Sequence, residues 1–274
     1  MTPAERQWEL NRHNFAGRWC GSSSWYLRQP GGADAPLDLS HPSRIIDDTC
    51  YAISFSDDDH GIWDGRGLLF APEGRRRLEL TRQHYNSTGQ CWQFDGAGGQ
   101  SSLSLDPSQP RWGHEINLFA GRSRSMLVLL WGQRPLGETR VWVLESVGAV
   151  GFRCSLGPNP EQERPVVSKA SELLEQQRGW PGTIECLHNP PRSGEPSPPE
   201  PCATFAPETF ATGTLTQGFA DGLVCSVAEQ LPQSGFSLQA GCRFGPDRFD
   251  QITLVFERGG RLNRWERRRF RRDG

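Results

Sequence analysis

Three basic side chains lie on the apolar faces of predicted strands, where they could hold an acidic ligand. Residues 77–85 read RLELTRQHY, and strand alternation puts Arg82 and His84 on the face of two leucines. Residues 111–119 read RWGHEINLF and put His114 on an apolar face in the same way. The apolar residues that share these faces, or the equivalent face of the intervening stretch, are Leu78, Leu80, Trp92, Phe94, Trp112, Ile116 and Leu118.

This pattern predicts a cavity lined by apolar side chains, with basic groups at its interior or its mouth. Such a cavity suits an amphipathic ligand that carries a carboxylate, and bilins, fatty acids and carotenoid-like acids meet that description. The predicted ligand-binding residues are Arg82, His84, Trp92, Trp112 and His114. The alternative is that the basic groups lie at strand ends in solvent.

Signatures of metal sites and of common enzymes are missing from the chain. The six histidines show neither H-x-H nor H-E-x-x-H spacing, and no G-x-S-x-G elbow or phosphate-binding loop occurs. The run Asp57-Asp58-Asp59-His60 precedes a glycine and is typical of a solvated turn. We therefore predict no metal site, no catalytic residue and no cofactor other than a bound hydrophobic acid.

Composition favours a protein rich in strands and turns, with no global attraction to polyanions. The chain has 31 Gly and 21 Pro, and its net charge is −2, which predicts neither nucleic-acid binding nor membrane insertion. The start MTPAERQWEL has no apolar run, and the eight cysteines are evenly spread without a C-x-x-C motif. These features favour a cytoplasmic protein with reduced thiols. The arginines of RWERRRFRRDG (264–274) are expected to form a solvated tail.

Two helices and many short strands are predicted. Thr2, Pro3 and Glu5 form a capping-box pattern for a helix ending near Arg12, and a second helix should span Ser168 to Arg178. The predicted strands, separated by Gly- and Pro-rich turns, are 77–85, 111–119, 125–131, 139–147, 236–244, 251–257 and 261–270. The fold class is all-β.

The chain also repeats itself. A helix followed by Trp19-x-Gly21 is matched later by a helix followed by Trp180-x-Gly182, and MLVLLWGQRPLGETRVWVLE (126–145) is similar to ITLVFERGGRLNRWERRRF (252–270). We predict a first unit at residues 1–160 and a smaller second unit at 161–274. The proline-rich stretch 189–201 is predicted to be a loop.

The stretches QWELNRHNFAGRWCGS (7–22) and 219–270 carry a resemblance. A helix, then Gly17-x-Trp19, then a series of strands resembles the lipocalin (calycin) superfamily. The chain looks more specifically like a cyanobacterial two-domain lipocalin-like family of uncharacterised function, and 160–205 matches only loosely. The resemblance implies two antiparallel β-barrels in tandem, each preceded by a short helix. It also implies that Trp19 and Trp180 plug the barrels, with an arginine over each: Arg140 in the first unit, and Arg264 or Arg268 in the second.

Three functions follow as expectations. The first is a cytoplasmic protein that binds a hydrophobic acidic small molecule in the first barrel. The second follows from a distant resemblance to the S-type phycobiliprotein chromophore lyases, in which Arg82, His84 and His114 would hold or protonate a bilin destined for a phycobiliprotein. The third is a partner-binding protein with filled barrels, which would use its arginine-rich last strand as the contact.

Overall fold

The described part of the chain contains two antiparallel sheets, three short α-helices and two single-turn 3₁₀ helices, Pro72–Gly74 and Ala220–Gly222. The computed structural model describes residues 2–83, 90–155, 169–189 and 195–272. The α-helices are α1 (Pro3–Phe15), α2 (Ala170–Glu175) and α3 (Pro207–Phe210). The prediction of an all-β fold is therefore confirmed.

The first sheet contains nine strands in the order β4-β3-β2-β1-β9-β8-β7-β6-β5. Their bounds are β1 (Gly17–Leu27), β2 (Arg44–Phe55), β3 (His60–Arg66), β4 (Arg75–Thr81), β5 (Cys91–Phe94), β6 (Ala97–Ser101), β7 (Arg111–Ala120), β8 (Ser123–Leu136) and β9 (Thr139–Cys154).

The second sheet contains seven strands in the order β11-β10-β16-β15-β14-β13-β12. Their bounds are β10 (Gly182–His188), β11 (Glu200–Cys202), β12 (Leu215–Gly218), β13 (Leu223–Val227), β14 (Phe236–Arg243), β15 (Arg248–Phe256) and β16 (Leu262–Arg271).

Both sheets are up-and-down meanders whose first strand pairs with their last. β1 pairs with β9, and β10 pairs with β16. Strands β4 and β6, far apart in the order of the first sheet, line one cavity, so this sheet curls into a half-barrel. In the described ranges no ladder joins the edge strands β4 and β5, or β11 and β12. The expected pair of closed barrels is therefore not confirmed: the described residues form two meanders, of which the first is a curled half-barrel.

Helix α1 occupies the hydrogen-bonding edge that a closed barrel would use. The Gln7 side chain donates to the carbonyl oxygen of Gln93 (2.9 Å) and accepts from the Gln93 amide (2.8 Å), as a neighbouring strand would. The Asn14 amide donates to the carbonyl oxygen of Phe94 (2.8 Å) and accepts from the Gly96 amide (2.9 Å). These side chains satisfy backbone groups of β5, so the edge needs no further strand.

The predicted capping box explains where α1 begins. The Thr2 hydroxyl accepts from the Glu5 amide (3.3 Å), and the Glu5 carboxylate accepts from the Thr2 amide (2.7 Å). This prediction is confirmed, and the helix runs three residues past the predicted end at Arg12, to Phe15. The extra turn is stabilised because the Phe15 carbonyl accepts from the Trp19 indole (2.9 Å).

One apolar core joins the two sheets. Trp92 of β5 stacks on Trp265 of β16 with ring centroids 6.0 Å apart, and both indoles donate to the hydroxyl of Ser101 at 3.1 Å. Trp112 of β7 packs edge-on against Phe256 of β15 at 5.1 Å. We call the face of the first sheet that meets the second sheet its outer face, and the opposite face, on which α1 lies, its inner face.

Each predicted strand has an observed counterpart, but the strand predicted at 77–85 ends at Thr81, and residues 84–85 lie outside the described residues. The internal repeat also has a structural counterpart. The similar segments 126–145 and 252–270 form the β8–β9 and β15–β16 hairpins, the last hairpin of each sheet. The predicted cap Ser168 and the boundary at residue 160 lie outside the described residues. The loop predicted at 189–201 is wrong at its end, because Glu200–Cys202 forms edge strand β11. Pro201 is tolerated in this strand, since an edge strand pairs on one side only.

Two cysteines depart from the expectation of reduced thiols. Cys20 of β1 and Cys50 of β2 are directly opposed in the ladder and form a disulfide. Their opposition across two paired strands could not be read from a spacing of 30 residues. The cysteines outside this disulfide are Cys91, Cys154, Cys186, Cys202, Cys225 and Cys242.

Within the described ranges, none of the helices has the length and apolar character needed to cross a bilayer.

Replacing Asn14 by Ala tests whether α1 completes the edge of the first sheet. We expect Asn14→Ala to lower the free energy of unfolding by about 2–3 kcal/mol, because buried backbone groups of β5 lose their partners. Urea denaturation followed by circular dichroism measures this change. The control Glu9→Ala removes only a half-exposed ion pair to Arg12, and should cost less than about 1 kcal/mol. Equal losses in the two variants would contradict the assigned role of Asn14.

Candidate functional site

The inner face of the first sheet and helix α1 enclose a cavity of about 350 Å³. Most of its wall is apolar. The apolar and aromatic side chains that line it are Phe15, Trp25, Tyr51, Ile53, Trp63, Leu68, Leu69, Phe70, Ala71, Leu78, Leu80 and Val128. A ligand with an apolar body would bury its surface against these groups.

A buried arginine lies at the inner end of this cavity. Arg124 begins the apolar run of β8, and its side chain is 1% exposed. Its guanidinium lies over four aromatic rings, at 4.9–5.8 Å from their centroids: Phe15, Tyr51, Phe119 and Phe152. Its Nε donates to Asn117 Oδ1 (2.8 Å), and its Nη2 lies 3.5 Å from the Glu115 carboxylate. The guanidinium is therefore held rigidly, with one weak ionic partner.

Two hydrogen-bond donors of the cavity wall have no partner among the described residues. They are Nη1 of Arg124 and Nδ2 of Asn11, which comes from α1. Buried polar groups are almost always hydrogen-bonded, since an unmet donor costs about 1–3 kcal/mol. Two such donors on residues that line one cavity leave hydrogen-bonding capacity that the oxygen atoms of an acceptor could use.

Burial shifts the pKa values of two side chains of this site, Arg124 and Tyr51. Desolvation lowers the pKa of Arg124, whereas the neighbouring Glu115 carboxylate raises it, and an arginine stays protonated at neutral pH. Desolvation and the negative charge of Glu115 raise the pKa of Tyr51 well above its usual value, so its phenol is neutral. The site thus offers a fixed positive charge and a neutral aromatic wall, which suits binding rather than proton transfer.

The mouth of the cavity is covered by a half-exposed aromatic side chain. Phe70 lies in the β3–β4 connection and packs edge-on against Trp25, with ring centroids 5.3 Å apart. Arg111, at the start of β7, places its guanidinium 5.1 Å from the centre of the Phe70 ring. Arg76 lies exposed on the same rim. Phe70 thereby bridges strands on both sides of the opening.

The residues of the predicted strand 77–85 do not all lie at the cavity. Leu78 and Leu80 do line the cavity, as the alternation indicates. Arg82 lies just beyond β4, partly exposed, and pairs with Asp59 at 2.8 Å. His84 lies outside the described residues.

Trp92, Trp112 and His114 lie on the outer face, not in the cavity. The predicted alternation of β7 is observed, but its apolar side packs against the second sheet, while Glu115 and Asn117 point inward. The physical reason is that the apolar face of β7 packs into the core between the two sheets. A single sequence does not show whether an apolar strand face packs into such a core or lines a cavity. Ligand binding by these three residues stays a prediction that their position does not favour.

The tryptophans predicted as plugs are buried beside helices. Trp19 packs edge-on against Phe119 at 5.6 Å and donates to α1. Trp180 lies in the apolar cluster beneath α2. Arg140, expected over Trp19, is instead exposed and donates to the Gln133 carbonyl (2.7 Å). The buried arginine of this region is Arg124, whereas Arg264 and Arg268 pair with Glu266 on β16.

Sequence reasoning missed Arg124, Asn11 and Glu115. A signal for the first was present, because SRSMLVLL (123–130) places Arg124 on the same strand face as Met126 and Val128. A lone arginine in an apolar strand is rarely buried without a function or a partner. No comparable signal distinguishes Asn11 from the other polar residues of α1.

Comparisons with known proteins identify the fold and leave the ligand open. No protein-family model matches the chain, and no curated protein matches it. A solved structure from the DUF3598 family, a protein with unknown function from Nostoc punctiforme PCC 73102, matches with a TM-score of 0.69 and 15% identity over 97% of this chain and 99% of its own. A proposed outer membrane protein from Bacteroides fragilis NCTC 9343 matches with a TM-score of only 0.25 and 8% identity, covering 99% of this chain and 100% of its own.

The first match shares the fold of this chain over nearly its whole length. The expected resemblance to a cyanobacterial protein is therefore supported at the level of fold. Membership of the lipocalin-like family stays a prediction, because 15% identity carries no further statement. The second match is too weak to support any argument.

The outer-face position of His114 has a consequence for acid stability. Complete burial lowers the pKa of this imidazole to about 3, and neither ring nitrogen has a partner in the described residues. An unfolded histidine has a pKa near 6.5, so between these values the unfolded state binds a proton that the folded state does not. The free energy of unfolding must therefore fall as the pH is lowered below about 6.5.

We expect His114→Leu to reduce that pH dependence by up to about 1.4 kcal/mol per pH unit between about pH 4 and 6. Urea denaturation at a series of pH values measures the slope. The control His41→Gln removes an exposed imidazole and should keep the wild-type slope. An unchanged slope in His114→Leu would show that this imidazole is not buried in its neutral form.

Proposed function

We propose that the chain binds a small monocarboxylic acid with an apolar body in the cavity of the first sheet. The observation that carries this proposal is the pair of buried donors, Arg124 Nη1 and Asn11 Nδ2, which line an apolar cavity and lack partners among the described residues. A carboxylate presents two acceptor oxygens and a negative charge, and it meets both requirements at once.

The lining of the cavity carries two arginines, Arg124 and Arg76, and one carboxylate, Glu115, so one positive charge is left for an acidic ligand. Arg124 is a full positive charge, and its only ionic neighbour in the described part of the site, Glu115, is 3.5 Å from Nη2 and also accepts from Asn117 (2.9 Å). Nη1 on the other branch of the guanidinium is left for the ligand. A neutral ligand would leave this cation less well compensated in a low-dielectric site.

The shape of the lining favours a fatty or isoprenoid acid over a bilin. A volume of about 350 Å³ is near the lower end of the range for small-molecule sites. A bilin carries two propionates, and in the described lining the one other cation, Arg76, is exposed at the rim. Because Arg82 and His114 are not in this lining, no observation favours the chromophore lyase.

Each part of the site then has a defined role. Arg124 and Asn11 hold the carboxylate at the inner end, and the leucines of β4 together with Val128 contact the apolar chain. Phe70 covers the mouth, so entry of a ligand requires its ring to move off Trp25. The proposal is one of binding and storage, without a chemical step.

Calorimetric titration with dodecanoate and with dodecanol tests the role of the charge. We expect the acid to bind the wild type more tightly than the alcohol. Arg124→Met should weaken binding of the acid about tenfold to a hundredfold, as loss of a charge-assisted hydrogen bond of about 1.5–3 kcal/mol requires, and should leave the alcohol nearly unaffected.

Two further variants distinguish a loss of ligand affinity from a loss of folding. Arg124→Met leaves Glu115 without its cation, so the double variant Arg124→Met/Glu115→Gln should recover stability without recovering affinity for the acid. Asn11→Leu should also weaken the acid, by about tenfold. Equal affinities for acid and alcohol in the wild type, or an undiminished affinity for the acid in both arginine variants, would overturn the proposal.

A further inference from the structure

A second, strongly basic cleft lies where the two sheets meet, apart from the cavity of the first sheet. Its volume is about 440 Å³, and five of its lining side chains are arginines: Arg122, Arg248, Arg267, Arg269 and Arg271. The acidic side chain among the lining residues is Asp95, in the β5–β6 turn. None of these arginines lines the cavity that contains Arg124.

The regular spacing of the last strand creates this cleft. Arg267, Arg269 and Arg271 are two residues apart on β16, so their side chains share one face. Arg248 lies directly opposite Arg271 in the β15–β16 ladder. The expectation of a solvated arginine tail is therefore wrong, because β16 is paired on both sides, with β10 and β15.

Carboxylates compensate only part of this charge. Asp250, which is fully buried, pairs with Arg248 (2.6 Å), Arg267 (3.3 Å) and Arg271 (3.2 Å). Glu185 pairs with Arg267 (3.5 Å) and Arg269 (3.1 Å). Asp95 lines the cleft with its carboxylate 3.7 Å from His13, and Asp247 acts on Arg248 from nearby, so the five guanidinium groups outnumber the four carboxylates around them.

Part of the hydrogen-bonding capacity serves to join the sheets. Arg248 donates to the Phe119 carbonyl (3.1 Å) and Arg269 donates to the Asp95 carbonyl (3.3 Å), so both bonds run from the second sheet to the first. Arg122 of the first sheet donates to the Cys154 carbonyl of the same sheet (3.0 Å). These bonds fix the arginines in place before any ligand arrives. Hydrogen bonds that only join the two sheets would not require more guanidinium groups than carboxylates.

Two donors in the cleft remain unused. The Nε atoms of Arg267 and Arg269 are buried and have no partner among the described residues. The Arg267 side chain is 1% exposed. Burial and the neighbouring positive charges of Arg269 and Arg248 lower its pKa to about 10, whereas Asp250 and Glu185 raise it. A further negative charge in the cleft would relieve this repulsion.

We propose that this cleft binds a phosphate group, either as free phosphate or as the head of a phosphate monoester. A phosphate brings negative charge to a cleft in which guanidinium groups outnumber carboxylates, and its oxygens can accept from several guanidinium groups at once. The ligand is held by the partly exposed Arg269 and Arg271, and the buried charge of Arg267 lies behind them. This site is independent of the acid-binding cavity.

Titration calorimetry on the full chain tests the proposal with two probes, inorganic phosphate and glycerol 3-phosphate. We expect binding that weakens as sodium chloride is raised from about 50 to about 500 mM, because exposed charge pairs are screened. Arg269→Gln and Arg271→Gln should each weaken binding about tenfold or more. Binding of both probes indicates the free anion as a ligand, and binding of glycerol 3-phosphate alone indicates a monoester.

A matched control exists on the same strand. Arg264 is similarly half-buried, pairs with Glu266 (2.7 Å) and is not among the lining residues of the cleft, so Arg264→Gln should bind both probes like the wild type. Melting curves without phosphate show whether each variant is folded. The proposal is overturned if neither probe binds, or if folded Arg269→Gln binds as tightly as Arg264→Gln.

Discussion

The packing of the two sheets against each other is the constraint on which the rest of the molecule depends. Trp92 and Trp265 come from different sheets, stack on each other, and share one acceptor, the hydroxyl of Ser101. This contact uses the outer face of the first sheet for the common core. Only the inner face is then left to form a cavity, and the ends of the sheets meet where the arginines of β16 can reach the turns of the first sheet.

Much of the fold could be predicted from the sequence, because it depends on short-range patterns. The capping box at Thr2 and the alternation in the strands are local. They predicted the start of α1 and the position of β4 and of the six other expected strands, although β4 ends at Thr81 and not at residue 85. The direction of each face is different, since it depends on what the rest of the chain places there. Leu78 and His114 both lie on apolar strand faces, yet the first lines the cavity and the second lies between the sheets. For this reason the sequence predicted an apolar cavity with a basic group, but it did not identify most of the residues that line the cavity.

Arg124 and Arg267 illustrate two ways of keeping a guanidinium out of water. Arg124 lies over aromatic rings, with a single carboxylate near one branch of its guanidinium. Arg267 belongs to a network in which Asp250 and Glu185 are each shared among several arginines. In both cases one N–H remains unmet in the described structure, but the surroundings differ in kind. An apolar wall recognises the apolar part of a ligand, whereas a network of charged side chains recognises its charged head group.

The side chains of Gln7 and Asn14, which complete the edge of β5, also bear on how copies of this chain behave in a crowded solution. An open sheet with free edges is a template on which other molecules can add strands and aggregate. Here α1 blocks one edge of the first sheet, and the other edge, β4, begins with Arg75, Arg76 and Arg77, all exposed. Like charges repel an incoming copy at that edge. The sheet can therefore stay a half-barrel, as access to an interior cavity requires, without becoming a site of polymerisation.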